Sequence, residues 1–550
     1  MEDQALKLNR RRALPLIAAA LGGCQAIDPA TSPVLTRYFG EGEKRRYANP
    51  VLPGFHPDPS VCRVGKDYYL ATSSFEYFPG VPIHHSRDLV HWRLIGHALT
   101  RESQLPLMGQ AASKGIFAPT LRFNAGTFYL ITTNIDGGGN FYVTATNPAG
   151  PWSEPVWLKE PVFGMDPSLF FDDDGKVYYT RHGGGRNGGV YQAEIDLKTG
   201  QLAEAPKLVW PGTGGIWPEG PHLIKREGWY YLLISEGGTS WDHSLTMARS
   251  RSPWGPFEPH PDNPILTHRN LSFEPLQMVG HADLVQAANG RWWLLLLGTR
   301  PNSGATPLGR ETLLAPAAWD ARGWLVVNEG QPLRPAMEVS GLPSRQAWPR
   351  EPARDEFSAT ALSLEWNFLR SSAEGLWSLS ERPGWLRLKG TATTLNDKAT
   401  PAFVGRRQTA PRQRAATLID FAPLAEAQEA GLVLRRDDEH HVRLRVTGFA
   451  TRRVELLSRI KGEDKLLARL DLGAAAFGPV QLQLQATPDR YEFSVVSVEG
   501  QPAQVLGSVP AAALSLPNSF TGAYVGLYAS GPGTMPPADF DWFDLVEGQA

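Results

Sequence analysis

Cysteine is almost missing from this chain. Two occur in 550 residues, Cys24 and Cys62, so a mature form beginning at Cys24 has no spare thiol pair for an internal disulfide, and its core must hold it together. An excess of either charge is missing as well. Lys and Arg number 54 against 56 Asp and Glu, a formal charge of −2, which leaves no basic footprint for nucleic acid. The apolar run near the N-terminus, Ala13 to Leu21, is too short to cross a bilayer.

What is plentiful is turn-forming and aromatic residue. Fifty-five Gly, 46 Pro and 17 Trp suit an all-β protein full of tight turns, and Trp and Tyr faces are surfaces on which pyranose rings stack, although most of them serve a core. The length exceeds one typical domain, and 42% hydrophobic residues are enough for a packed interior. Residues 1–24 read as an export signal. Asn9-Arg10-Arg11-Arg12 precedes the apolar run, and Leu21-Gly22-Gly23-Cys24 closes it. The pattern resembles a bacterial lipoprotein signal with Cys24 as the lipidated residue, and the adjacent arginines resemble a twin-arginine signal. An ordinary secretory signal is the alternative. Each version sends the protein out of the cytoplasm, and the lipoprotein version implies a periplasmic or outer-membrane location with a lipid anchor as the sole membrane contact.

Residues 25–46 read as a polar tether. After it, one motif recurs five times: Gly65-Lys66-Asp67-Tyr68-Tyr69-Leu70, Gly126-Thr127-Phe128-Tyr129-Leu130, Gly175-Lys176-Val177-Tyr178-Tyr179, Gly228-Trp229-Tyr230-Tyr231-Leu232 and Gly290-Arg291-Trp292-Trp293-Leu294. A turn glycine opening a β-rich run every 50 to 60 or so residues predicts a five-bladed β-propeller, one four-stranded blade per copy, over residues 47–335. In this reading Asn49-Pro50-Val51-Leu52 begins the first β-rich stretch and Trp324-Leu325-Val326-Val327 is the last strand.

A second repeat runs just ahead of the first: Asp58-Pro59-Ser60-Val61, Ala118-Pro119-Thr120-Leu121, Asp166-Pro167-Ser168-Leu169, Gly220-Pro221-His222-Leu223 and His281-Ala282-Asp283-Leu284. Equivalent positions of equivalent blades lie at equivalent distances from the axis. If these segments start the innermost strands, Asp58, Asp166, His281 and Glu219, one residue ahead of its repeat position, meet at the mouth of the central funnel. Three carboxylates in one concavity repel one another and are partly desolvated, which spreads their pKa values. Such a set is equipped for acid/base hydrolysis.

Beyond a linker over residues 336–354 the repeat stops. Alternating strands such as His441-Val442-Arg443-Leu444-Arg445-Val446 and Tyr491-Glu492-Phe493-Ser494-Val495-Val496 with closely spaced turns predict a β-sandwich over residues 355–550. The cluster Arg435-Arg436-Asp437-Asp438 reads as a solvated strand end.

From Asn49 to about Asp544 the chain resembles the β-xylosidases and α-L-arabinofuranosidases of glycoside hydrolase family 43, in the form with a C-terminal β-sandwich. The resemblance is carried by Pro53-Gly54-Phe55-His56-Pro57-Asp58-Pro59-Ser60, by Ser73-Ser74-Phe75-Glu76-Tyr77-Phe78-Pro79-Gly80-Val81-Pro82-Ile83, by Met165-Asp166-Pro167-Ser168-Leu169-Phe170, by Trp217-Pro218-Glu219-Gly220-Pro221-His222 and by Leu308-Gly309-Arg310-Glu311-Thr312. It implies Asp58 as general base, Glu219 as general acid, and Asp166 as the carboxylate that raises the acid's pKa and orients it. Arg310 matches an arginine on the sugar and Phe75 an aromatic lining the subsite. Phe117 stands where many relatives have Trp, giving a smaller ring face. His281 matches a histidine near the axis that organises water or a cation in some relatives. Relatives of this form also use the sandwich to cover one side of the pocket, and Phe520-Thr521-Gly522-Ala523-Tyr524-Val525-Gly526 is the stretch most like the part that does so.

The implied activity is inverting exo-hydrolysis, releasing xylose from the non-reducing end of β-1,4-xylo-oligosaccharides, with α-L-arabinofuranosidase activity on arabinoxylan fragments beside it. No cofactor is required by that chemistry; a structural cation near His281 and homo-oligomerisation stay open. Each residue also has a plainer reading. Asp before Pro commonly opens a turn, Arg310 can close blades as an ion pair, and His281 has no second ligand at metal spacing beside it. Asp172-Asp173-Asp174-Gly175 starts like a calcium loop, lacks the distal Glu and reads as a blade turn. Two functions of other classes compete. A catalytically silent sugar-binding propeller would keep Phe75 and Phe117 without needing three carboxylates. A protein-interaction propeller would need neither the charged funnel nor an export signal.

Overall fold

The computed structural model describes residues 43–160, 162–349, 351–473, 478–497, 500–515 and 520–548. Cys24, the rest of the signal segment and nearly all of the tether lie outside these residues.

Over residues 60–327 the chain forms five antiparallel sheets in sequence order, each of four or five strands. Their first strands are Ser60–Val64, Thr120–Asn124, Ser168–Phe171, Glu219–Arg226 and Gln277–Gln286. The glycine of each predicted repeat turns the first strand into the second, and all five have positive φ, from 62° to 87°, a region glycine enters without a Cβ clash. The aromatic pairs that follow pack between sheets, so Tyr68, Tyr179, Tyr231 and Trp293 are fully buried. Each first strand contacts the first strand of the next sheet, and Ser60–Val64 also contacts Gln277–Gln286. That closes a ring and makes the domain propeller-type.

Asn49-Pro50-Val51-Leu52 does not begin the first sheet. Backbone N–H groups of Val51 and Leu52 reach the Thr312 carbonyl and the Asn49 side chain reaches Leu314, so this segment clasps the fifth sheet. The end of the tether and the start of the linker are likewise ordered against each other: Lys44–Ala48 pairs antiparallel with Ala336–Ser340. Farther along the linker, Trp348 lies against His85 and under the guanidinium of Arg93.

The C-terminal part is a β-sandwich of a six-stranded and an eight-stranded sheet. Val480–Ala486 alternates buried and half-buried residues along its length, the period-2 signature of a strand with one face on a core. The two parts share their apolar interior. Phe368–Leu369 pairs with Tyr77–Phe78 of the propeller, the rings of Tyr77 and Tyr524 stack with centroids 3.9 Å apart, and Phe55 and Phe75 pack in one cluster with Phe403, Tyr524 and Tyr528.

The cluster at Arg435 is not a solvated strand end. Arg435 and Arg436 are 0% and 1% exposed. Arg435 pairs with the buried Glu76 of the propeller at 3.3 Å and with Asp438 at 2.6 Å, and Asp438 also holds Arg370 at 2.8 Å. A run of charges reads as solvated when a partner such as Glu76 lies far away in sequence; here it meets the run at the domain boundary.

Candidate active site

The second repeat sets a kink at the entrance to each innermost strand. Asp58, Asp166, Gly220 and His281 all have left-handed φ, 55°, 57°, 58° and 48°. For non-glycine residues that conformation is strained and persists only where packing enforces it. The kink turns the Asp58, Asp166 and His281 side chains into the funnel. In the fourth sheet Gly220 takes the kink, because a Cβ there would stand 3.0 Å from the His281 ring, and the carboxylate is supplied from one residue earlier. That is the physical reason Glu219 stands out of phase with its repeat.

The predicted residues come together. His281 Nδ1 lies 3.8 Å from Asp58 Oδ1 and 3.9 Å from Glu219 Oε1, and the backbone N–H of Gly220 donates to Asp166 at 3.2 Å. Arg310 donates to Asp58 Oδ1 at 2.7 Å and Ser73 donates to its other oxygen at 2.5 Å, so the carboxylate is oriented from both sides. Arg310 therefore joins the fifth sheet to the first by an ion pair, and its guanidinium also lies against the rings of Phe75 and Phe520, 5.6 and 5.3 Å from their centroids. Phe75, Phe117 and Phe520 form a three-ring wall with centroids 5.2 to 5.9 Å apart. Phe520 comes from the sandwich, and its N–H is held by the Ser113 hydroxyl at 3.2 Å.

The protons are arranged differently from the sequence expectation. Burial raises Asp166 to about 7; the charge of His281 works against this, and the charges of Glu219 and Asp58 add to it. Burial would raise Glu219 too, yet the imidazoles of His243 and His281 beside it bring it below the ordinary carboxylate value. The expectation that Asp166 raises Glu219 thus meets two histidines that outweigh it, and the pair retains one proton near neutrality, favouring Asp166. His281, despite burial, is raised to about 9 by Glu219, Asp58 and Asp166 around it. The ring lies between Asp58 and Glu219, where a protonated imidazole would place positive charge. Among the described residues no group of three His, Cys, Asp or Glu side chains forms a metal cluster. Asp172 accepts from Lys225 and Tyr230 inside a blade turn, as its sequence implies.

Residues that sequence reading passed over complete the site. Ser73 lies in a stretch already singled out, with nothing to mark it as the Asp58 partner. His243, fully buried, is 3.6 Å from Glu219 Oε1 and belongs to no repeat. Below the carboxylates the third positions of the second repeat form another polar layer. Asp283 accepts from Ser60 and from Arg122, and Arg122 also meets His222, which faces Ser168. Asp283 is held at about 2, because Arg122 and His222 overcome the effect of burial. Here the sequence did carry a signal, since Ser60, Ser168, His222 and Asp283 recur in one phase.

A ring of β-sheets with three carboxylates at its mouth, an arginine and an aromatic wall describes a hydrolase that works by paired carboxyl groups on a sugar-sized substrate. The chain belongs to glycosyl hydrolases family 43, whose model matches residues 47–325, and a β-xylosidase C-terminal concanavalin A-like domain matches residues 354–546. It is a glycoside hydrolase. Over 511 residues it is 45% identical to a non-reducing end α-L-arabinofuranosidase of Bacteroides ovatus, covering 91% of this chain and 95% of the relative. It is 41% identical to a xylosidase/arabinosidase of Butyrivibrio fibrisolvens over 91% of this chain and 99% of that protein. Among solved structures, xylan β-1,4-xylosidase of Bacillus halodurans superimposes with a TM-score of 0.86 at 38% identity, covering 91% of this chain and all of that one.

Proposed function

We propose that this protein is an inverting exo-glycosidase that removes xylose from the non-reducing end of β-1,4-xylo-oligosaccharides. The observation that carries this reading is the opposition of two differently held carboxyl groups. Asp58 is gripped by Arg310 and Ser73, and Glu219 is flanked by His243 and His281. Both approach the same His281 nitrogen, so the two carboxyl groups flank one space, and the inverting assignment rests on the family's pairing of a base with an acid across the sugar. In this mechanism Asp58 takes a proton as a water oxygen bonds to the anomeric carbon. The glycosidic bond breaks on the opposite face, and Glu219 gives its proton to the departing oxygen. Asp166 keeps that proton available by sharing it with Glu219. Arg310 and the three Phe rings orient the sugar.

The Bacteroides ovatus relative, named for α-L-arabinofuranosidase activity, supports a second reading in which arabinofuranosyl units of arabinoxylan fragments are removed by the same groups. A panel of nitrophenyl glycosides separates the two by their kcat/KM ratio. The roles are tested by leaving group. A xylo-oligosaccharide leaves as an alkoxide and needs a proton far more than a nitrophenolate does. Glu219→Gln should lose several orders of magnitude on xylobiose and much less on an aryl xyloside, whereas Asp58→Asn should be crippled on both. The first-formed sugar should be α-xylose by NMR; a β anomer appearing first would reject the inverting assignment.

We also propose that the protein is exported and carried on a membrane by lipidation of Cys24. This rests on the sequence alone.

A further inference from the structure

Glu219 is approached by two histidines, and both face the same oxygen. Oε1 lies 3.6 Å from His243 Nε2 and 3.9 Å from His281 Nδ1, which leaves Oε2 for the substrate. His243 is fully buried, and its Nδ1 faces the Met278 carbonyl at 3.1 Å. A carbonyl only accepts, so Nδ1 carries a hydrogen. Nε2, buried and without a hydrogen-bond partner, has the carboxyl oxygen of Glu219 at 3.6 Å. Against an ionised Glu219, or one protonated on Oε2, a bare lone pair there would repel Oε1, so the geometry puts a hydrogen on Nε2. The ring is seated by its neighbours. Gly280 lies under it, and a Cβ at that position would stand 2.4 Å from the imidazole, while Gly237 and Ser240 fix the turn that leads into it.

We propose that His243 is the positioning residue of the proton donor: its Nε2–H holds Oε1 of Glu219, so that the proton delivered to the leaving group departs from Oε2. This rests on Glu219 being the acid. The 3.6 Å separation fits an unliganded site, in which catalytic hydrogen bonds are commonly long and shorten when substrate binds. The other charged groups around Glu219 are His281, Asp166 and Asp58, with Arg310 behind Asp58. His182 stands beside them with its Nδ1 bound to the Pro218 carbonyl at 2.8 Å. Of these, His243 and His281 approach Oε1, and His281 divides its nitrogen between Glu219 and Asp58.

His243→Phe keeps a ring over Gly280 and deletes both nitrogens. It should lose about 100-fold in kcat/KM on xylobiose and less than about 10-fold on an activated aryl xyloside, the split of an enzyme whose acid is impaired. Its basic limb should move to higher pH, because a donor facing the Glu219 carboxyl is gone while burial and Asp166 remain. His243→Gln, which can still donate to Oε1, should recover most of the xylobiose activity. Gly280→Ala, which removes no polar group and displaces the imidazole, should reproduce the leaving-group split and guards against misfolding of His243→Phe. Equal losses on both substrates with an unmoved basic limb, while Glu219→Gln shows the split, would overturn the role of His243 alone. No split in Glu219→Gln would overturn the donor assignment and this inference with it.

Discussion

At Glu219 and Asp166 the titrating unit is the pair. A proton held by Asp166 up to about pH 7 can pass to Glu219 when a leaving group arrives, so kcat/KM on xylobiose should fall above about pH 7. Asp166→Asn removes the negative charge that favours the protonated form of Glu219. It should cost 100-fold or more on xylobiose, less on an aryl xyloside, and lower the basic limb; a pH profile on each substrate checks all three. Stability carries the opposite sign. Because folding raises the Asp166 pKa, its contribution is whole below about pH 4 and is lost as pH rises through about 7. Asp166→Asn has no such loss, so its Tm should gain on the parent between pH 5 and pH 8. At this scale the carboxylates, Arg310 and His281 were legible because they stand in repeats or in recognisable motifs. His243 and Ser73 were not, since single residues on loops between strands carry no periodic signal.

One loop of the sandwich belongs to the active site. Phe520 completes the aromatic wall, and two residues later Gly522 lies so close to the propeller that a Cβ would stand 2.4 Å from the Leu308 carbonyl and 2.8 Å from Phe55. Leu308 begins the segment that carries Arg310. Gly522→Ala should therefore push this loop away from Arg310, lowering kcat/KM on xylobiose about 10-fold. Phe520→Ala, which loses the ring and leaves the loop in place, should act chiefly on KM. Measuring KM and kcat for both variants separates the two effects. A small KM change in Phe520→Ala would remove that ring from sugar binding. The strands and their glycine turns were plain from sequence, because a two-residue period and a positive-φ turn are local. The pairing of Tyr77–Phe78 with Phe368–Leu369 was not, since it joins segments nearly three hundred residues apart.

The molecule works as a unit across its domain boundary. The buried pair of Arg435 and Glu76, the stacked Tyr77 and Tyr524 and the shared aromatic cluster would all be cut open in a propeller ending near residue 340. Such a fragment exposes Tyr77 and Phe55 and leaves Glu76 without its cationic partner Arg435. It should be poorly soluble or weakly active; a well-behaved fragment with full activity on xylobiose would contradict the shared core. Membrane attachment is a separate property of the same chain. Cys24→Ser should move the expressed protein from the membrane fraction to the soluble fraction, and unchanged fractionation would reject lipidation.

The sequence by itself determined the all-β character, the succession of repeats, the family resemblance and the carboxylates, since each is written in local patterns repeated in phase. Tertiary structure decided what those patterns could not hold. It turned the charged run at Arg435 inward against Glu76, drew Asn49–Leu52 onto the last sheet, and brought Phe520 to Arg310. It also set two histidines on one oxygen of Glu219 and so reversed the expected direction of its pKa. The reason is common to all four. A side chain's charge and solvation depend on neighbours that sequence distance does not specify, and in a closed ring of sheets those neighbours arrive from every blade.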